Sequence, residues 1–315
     1  METLMLQPWD YLIVTASNDL QAQAYQEQLA LRQRLGLLPH IGQTLVVADP
    51  QGKRVGSGGS TLYCLMRVLQ EEMTSFQCPA GAPHGNAVLD ALSQSKLPSS
   101  RKSSTGLPSG APLAASSSPP SSTPRPLDPS TPSPLTILQQ LRILIIHAGG
   151  DSRRLPAYGP CGKIFIPVPG SSSNALTPTL FDRLLETFQQ LTPGRPGQGQ
   201  IVVTSGDALI RFDPSQVDLA LPGLVAMGAL ATPEAASKHG VFCVDPNNQA
   251  RRYLQKPQPD VQAQAGAINA AGQAILDIGV MSLDAATAVA MLQAFHAQIP
   301  SWPPRGPHYD AKVPG

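Results

Sequence analysis

Charge is scarce in this sequence of 315 residues. Asp, Glu, Lys and Arg together make up 14% of it, and 22 basic against 21 acidic side chains leave a formal net charge of +1. Such a balance supplies no broad field of one sign, so neither a nucleic acid nor an anionic membrane surface is expected as a partner. Cysteine is sparse as well. The four present, Cys64, Cys78, Cys161 and Cys243, form no CxxC pair, which disfavours a zinc site and a disulfide framework. Free thiols in a reducing cytoplasm are the expectation. No apolar run approaches the length of a membrane span. The opening METLMLQPWDYLIV carries acids and has no basic n-region, so no secretory signal peptide is expected there. No internal repeat is visible.

What the chain does have is enough apolar residue, 42%, for a sizeable core. Short apolar, β-branched runs at Tyr11–Thr15, Thr44–Ala48, Arg142–His147 and Gln200–Ser205 read as buried strands. Leu224–Leu230, Val241–Val244 and Ala274–Met281 extend the series. Helical patterns lie between them, over Asp19–Leu37 with Asn18 or Asp19 as its cap, Thr179–Gln190 and Ala285–Ala297. Another follows Gly59, with Leu62, Leu65, Met66 and Leu69 on one face. Buried strands alternating with helices predict an α/β fold, a mainly parallel sheet with helices on both faces. Such sheets bind ligands at the carboxyl ends of their strands. From Lys96 to Pro134 the composition shifts to Ser, Pro, Thr, Gly and Ala. That stretch cannot repay the entropy of ordering, and a disordered insert is expected over 96–134, between a first part (1–95) and the remainder of the domain (135–315).

The densest chemistry lies in LIIHAGGDSRRLPAYGPCGKIFIPVPG, from Leu144 to Gly170. A glycine turn after a strand exposes backbone N–H groups, and a following helix start adds its positive dipole end. Gly149 and Gly150 allow close approach of a phosphate. Asp151 and Ser152 are suited to cap the next turn, leaving the serine hydroxyl for an oxygen ligand. Arg153 and Arg154 offer planar forks, and Lys163 a mobile point charge. Together they read as a polyphosphate cradle. A second glycine loop, Gly56, Ser57, Gly58 and Gly59, also follows a strand and opens a helix. It is either a plain flexible loop or the partner of the first, the two sharing one nucleotide, with the triphosphate on 149–154 and the base and ribose on 56–59.

The run A-G-G-D-S-R-R-L-P…G-K-I-F-I-P-V resembles the sugar-nucleotidyltransferase signature G-x-G-T-R, followed by Pro and then Pro-Lys. Ser152 stands where that family has Thr, Arg153 and Pro156 match its Arg and Pro, and Lys163 matches its Lys. Asp151 replaces a Gly and Gly162 replaces a Pro. With RVGSGGSTL (Arg54–Leu62), the sequence looks like the narrower fucose-1-phosphate guanylyltransferases, including the corresponding half of bifunctional fucokinase/guanylyltransferase enzymes. The fold so implied is Rossmann-like, of the nucleotide-diphospho-sugar transferase type.

The resemblance implies further roles. Asp207, in TSGD at a strand end, would hold Mg²⁺, although Gly-Asp is also an ordinary turn. KHGVFCVDPNNQARRYLQKP resembles a "GVF-x-x-D…EKP" hairpin in which Gly240 lies against the sugar and Lys256 contacts its phosphate. Lys256 is equally readable as a solvated turn residue, and His239 as a loop residue or a ligand contact. Gln255 stands where that pattern has Glu. ILDIGVMSL resembles a strand lining the sugar pocket, with Asp277 and Gly279 near the ring. The implied partners are GTP and a sugar 1-phosphate, with Arg153 and Lys163 catalytic, and the implied reaction makes GDP-L-fucose and pyrophosphate. The alternatives are another nucleotide and sugar-phosphate pair, or a non-catalytic regulatory homologue. Relatives of this kind continue into a β-helical region or a kinase, and Asp310 is a candidate second metal carboxylate.

Overall fold

Four apolar runs lie side by side, three of them buried on both faces and the edge run, Ile41–Ala48, only partly buried. In the computed structural model, which describes residues 8–76, 88, 92, 132–150, 162–170 and 176–298, these runs are β1 (Trp9–Ala16), β2 (Ile41–Ala48), β3 (Arg142–His147) and β4 (Gln200–Ser205). They pair in parallel in the order β2-β1-β3-β4. β3 shows the two-sided burial. Ile143 and Ile145 join one hydrophobic cluster, Leu144 and Ile146 the other, and all four are 0% exposed. Alternating side chains of one strand therefore feed two cores.

The other half of the sheet is antiparallel. β8 (Ala274–Leu283) runs against β4, and β5 (Leu224–Ala231) and β6 (Gly240–Val244) both run against β8. β7 (Ala250–Gln255) completes a hairpin with β6. The result is one eight-stranded sheet, mixed where the strand pattern led us to expect it mainly parallel. The connections explain the difference. Only Asp245–Gln249 joins β6 to β7, far short of the dozen residues a parallel crossover needs. Asp245 closes that turn by accepting from the Asn247 and Gln249 N–H groups at 2.9 and 3.0 Å, with Asn248 at φ 58°.

Helices cover both faces. One layer holds α2 (Gly56–Phe76), the short α3 (Pro134–Leu138) and α7 (Ala285–Gln298), packed through Leu65, Leu69, Leu138 and Leu292. The other holds α1 (Asp19–Arg34) and α4 (Leu180–Phe188), through Tyr25, Leu29, Phe181 and Phe188. Two short helices, α5 (Pro233–Ala236) and α6 (Pro259–Gln264), flank the hairpin. Asn18 caps α1, its Oδ1 accepting from Gln21 N at 2.9 Å. α1 stops at Arg34, sooner than its pattern suggests, because Gly36 turns left-handed at φ 67°. The expected insert lies outside the described residues over 96–131. Its last expected residue, Pro134, is the first of α3, which Ser133 caps.

A buried ion pair anchors the segment that follows residue 161. Arg32, 1% exposed, donates from Nε to Asp182 Oδ1 at 2.7 Å and from its terminal nitrogens to Thr179 and Gln28. Its guanidinium lies 5.0 Å from the Phe165 ring and 5.3 Å from Phe181. Phe165 in turn packs edge-on against Tyr25. The stretch Gly162–Gly170 is thus tied to α1 and α4 by one cation and a cluster of rings.

Candidate functional site

The winding of the chain reverses at β1. From β1 it passes to β2 on one side, and it then returns across β1 to β3 on the other. A crevice opens at such a point, outside the carboxyl ends of the strands. Here the crevice is lined by Thr15, Ala16 and Ser17 after β1, Asp49 after β2, and His147, Gly149 and Gly150 after β3. Arg54, Gly56, Ser57 and Ser60 close it from the start of α2. Gly149 and Gly150 of the first predicted segment and Gly56 and Ser57 of the second therefore face one cleft, with the N-terminus of a 21-residue helix directed at it, while Gly58 and Gly59 are not in its lining.

The second segment is not a loop, however. Gly56 to Gly59 form the first turn of α2, entered through Gly56 at φ 72°. A Cβ on Gly58 would meet nothing within 4 Å, whereas one on Gly59 would stand 3.0 Å from Val55 Cβ. Gly149 passes close to β1, where a Cβ would sit 3.4 Å from the Ala16 carbonyl carbon and Ser17 N. Gly150 donates its N–H to Ser17 Oγ and accepts from Gln21 Nε2 at 3.2 Å. Gln21 Oε1 also accepts from Ser17 N at 2.8 Å, and the Tyr25 hydroxyl donates to Ala148 O at 3.0 Å. The glycine turn is thus laced to α1 by Ser17, Gln21 and Tyr25, none of which stood out in the sequence. Asp151, Ser152, Arg153, Arg154 and Pro156 lie outside the described residues, as does Asp310.

His147 closes the cleft floor. Its Nδ1 is 3.4 Å from Thr15 Oγ1 and its Nε2 is 2.9 Å from Thr61 Oγ1. Burial lowers its pKa to about 4, so the ring is neutral in use. Neutral imidazole bridging a β1 threonine and an α2 threonine fixes the helix start against the strand ends. The only signal in the sequence was a polar residue closing an apolar strand.

On the far side of β3, Gly206 N donates to His147 O at 2.8 Å. That turn presents Asp207, whose Oδ2 lies 3.1 Å from Lys163 Nζ. Ser205 Oγ donates to Asp207 Oδ1 at 2.7 Å. The serine hydrogen bond, then Lys163, holds the Asp207 carboxyl below the usual carboxylate range despite partial burial. The structure thus brings together the predicted lysine and the predicted metal-binding aspartate. Among the described residues no group of three or more His, Cys, Asp or Glu side chains could hold a metal by themselves. A single ionised carboxylate beside this cleft fits Mg²⁺, which takes one or two carboxylates and completes its shell with other oxygens and water.

The remaining predicted residues form a neighbouring group. Gly279, at φ 77°, is packed so that a Cβ would touch Ser205 Cβ at 3.5 Å. Its N–H donates to Asp277 Oδ1 at 2.7 Å, and Asp277 Oδ2 accepts from the Tyr253 hydroxyl at 3.0 Å. That hydroxyl occupies the place of a Gly240 Cβ, which would be 1.9 Å away. Lys256, at φ 48°, donates its N–H to His239 O at 3.0 Å, closing the mouth of the hairpin. Asp277, Gly279, Gly240 and Tyr253 are therefore contiguous with Ser205 and Asp207. His239 and Lys256 join them through the backbone ladder, where Gly240 faces Gln255. Tyr253 is the member that nothing in the sequence pointed to.

Against known proteins, the family described as the fucose pyrophosphorylase domain matches residues 136–304. The chain is 26% identical over 287 residues to a bifunctional fucokinase/GDP-fucose pyrophosphorylase of Arabidopsis thaliana, covering 87% of this chain and 23% of that protein. It is 24% identical over 284 residues to a fucose-1-phosphate guanylyltransferase of Homo sapiens, covering 82% and 34%. An L-fucokinase/L-fucose-1-P guanylyltransferase of Bacteroides fragilis is 28% identical over 166 residues, 51% and 17%. The chain spans about a third or less of the length of these curated relatives.

Proposed function

The chain belongs to the fucose pyrophosphorylase domain family, and from that premise we propose that it carries out guanylyl transfer: GTP and L-fucose 1-phosphate give GDP-L-fucose and pyrophosphate. The observation that carries the reading is the Lys163–Asp207 pair, 3.1 Å apart, beside a glycine-walled cleft at the carboxyl ends of parallel strands. The four parallel strands, wound both ways from β1, support a Rossmann-like nucleotide-binding half. Among the described residues no helix is long and apolar enough to cross a membrane. Cys64 and Cys243 are free thiols, which suits a cytoplasmic protein.

In this reading a phosphate oxygen of the sugar phosphate attacks the α-phosphorus of GTP in line, and the bond to the β-phosphate bridging oxygen breaks. The attacking monoester has a second pKa of about 6 and is largely dianionic at neutral pH, so no general base is needed. The site must supply alignment and positive charge. Arg153 and Lys163 stabilise charge on the departing pyrophosphate. Gly149, Gly150, Asp151, Ser152 and Arg154 surround the triphosphate, and Gly56–Gly59 face the base and ribose. Asp207 would hold Mg²⁺, which when bound neutralises and orients phosphate oxygens. Asp277, fixed by Tyr253 and the Gly279 N–H, takes sugar hydroxyls beside Gly240, while His239 and Lys256 steer the sugar phosphate.

The test is pyrophosphate release with Mg²⁺, GTP and L-fucose 1-phosphate, run beside ATP and UTP and beside other hexose 1-phosphates. Release confined to the guanine and fucose pair supports the reading. Equal release with UTP or with glucose 1-phosphate would overturn the specificity, and no release with any pair would overturn the activity.

A further inference from the structure

We infer that Asp49 selects the nucleobase, its carboxylate taking a guanine by the N1–H and the exocyclic amine; this rests on the guanylyl-transfer reading above. Asp49 directly follows β2 and lines the cleft together with the Gly149–Gly150 turn. Its backbone is pinned on both sides, the N–H donating to Ala16 O at 2.8 Å and the carbonyl accepting from Gly52 N at 3.0 Å. The side chain is therefore presented from a fixed point on the cleft wall.

Charge decides which part of a nucleotide meets it. A carboxylate repels phosphates, so the triphosphate runs away from Asp49. It runs toward Lys163 at β4, the other end of the parallel half. The order β2-β1-β3-β4 separates those ends by three strand spacings, about 14 Å at roughly 4.8 Å each. An extended nucleoside triphosphate has that reach, which leaves its base at β2. Burial pushes the Asp49 carboxyl above its ordinary value, and Arg54, also on the cleft wall, offsets part of that by favouring the ionised form.

An ionised carboxylate has two oxygens and only accepts hydrogen bonds. Guanine places two donors side by side on its Watson–Crick edge. Adenine and cytosine offer a donor beside an acceptor there, and uracil a single donor between two acceptors. The wrong base thus leaves a half-buried carboxylate oxygen unpaired, which is the costly outcome.

The experiment uses the whole chain with GTP, ITP, XTP and ATP, reading equilibrium binding by calorimetry and turnover by pyrophosphate release. Xanthine keeps the N1–H but carries a carbonyl in place of the amine, so it matches an amide rather than a carboxylate. The wild-type protein should bind GTP about 10-fold tighter than ITP, which lacks the amine, and more than about 100-fold tighter than XTP. Asp49→Asn, isosteric and with the same backbone bonds, should lose about 100-fold for GTP and prefer XTP. Asp49→Asn that binds GTP and XTP in the wild-type ratio would overturn the inference while leaving guanylyl transfer standing. The wild-type comparison of GTP with ITP remains decisive even if the variant fails to fold, because equal affinity would also overturn the role of Asp49. Guanine-selective binding with the XTP swap but no turnover on L-fucose 1-phosphate would sink the sugar assignment and keep that role.

Discussion

The Tyr25 hydroxyl stands where a Cβ on Gly162 would have to be, 1.7 Å from that ideal position, and donates to Ala148 O in the glycine turn. One buried phenol therefore touches both ends of the segment between the glycine pair and Lys163. Gly162 also sits at φ 58°, which excludes the proline that the wider signature has before its lysine. Gly162→Ala should destabilise the fold by about 3 kcal/mol, combining left-handed strain with displacement of Tyr25. Urea unfolding followed by circular dichroism measures it, and a loss below about 0.5 kcal/mol would contradict the packing described.

Lys163 and Asp207 are 44% and 54% exposed, so their ion pair contributes little to stability. A functional pair of this kind should lose activity without losing fold. Lys163→Ala is expected to lower kcat for pyrophosphate release by about 10³ while the melting temperature changes by less than about 2 °C. Retention of half the wild-type rate would remove Lys163 from the phosphate site.

The His147 ring is held neutral, with a pKa of about 4 in the fold against 6.5 ordinarily. Between those values the unfolded chain binds a proton there and the folded chain does not. Stability is therefore complete above about pH 6.5 and declines as the pH falls toward 4, by about 2 kcal/mol from this group after allowance for partial exposure. His147→Gln should flatten that part of the profile. Denaturant unfolding of both proteins at pH 7.5 and 5 tests this, and parallel profiles would show that His147 is not the titrating group.

Tyr253 hydrogen-bonds Asp277 and is not among the residues that line the cleft at the ends of the parallel strands. Tyr253→Phe should therefore raise the KM for L-fucose 1-phosphate about 5-fold, the effect of one hydrogen bond of about 1 kcal/mol. The KM for GTP should stay constant. A rise in both constants would mean that the tyrosine acts through the fold and not through the sugar side.

Much of this was legible before the structure. The spacing of apolar residues placed β3 and β4 to the residue, because strands buried on both faces are unbroken apolar runs. The antiparallel direction of β5 and β8 was not legible, since periodicity reports burial and not which neighbour a strand pairs with, and the β6–β7 hairpin was implied by the family resemblance alone. The place of Gly149 in the cleft wall was readable from a glycine pair after a strand, whereas the roles given to Lys163 and Asp207, which the structure pairs, came through the family resemblance. Ser17, Gln21, Tyr25 and His147 were not singled out. Ser17, Gln21 and Tyr25 support the glycine turn from sequence positions more than a hundred residues away, where nothing local marks them, and His147 shows only as a polar residue closing an apolar strand. Gly56–Gly59 misled in one respect, because glycine suggests a loop even where it forms the first turn of a helix.

Guanylyl transfer as proposed breaks the bond between the α- and β-phosphates of GTP. Incubation with Mg²⁺, L-fucose 1-phosphate and GTP labelled at the α-phosphate, in parallel with GTP labelled at the γ-phosphate, tests it directly. The α-label is predicted in GDP-L-fucose and the γ-label in pyrophosphate. Recovery of the γ-label as inorganic phosphate or on the sugar, with the α-label left in free GDP, would contradict it.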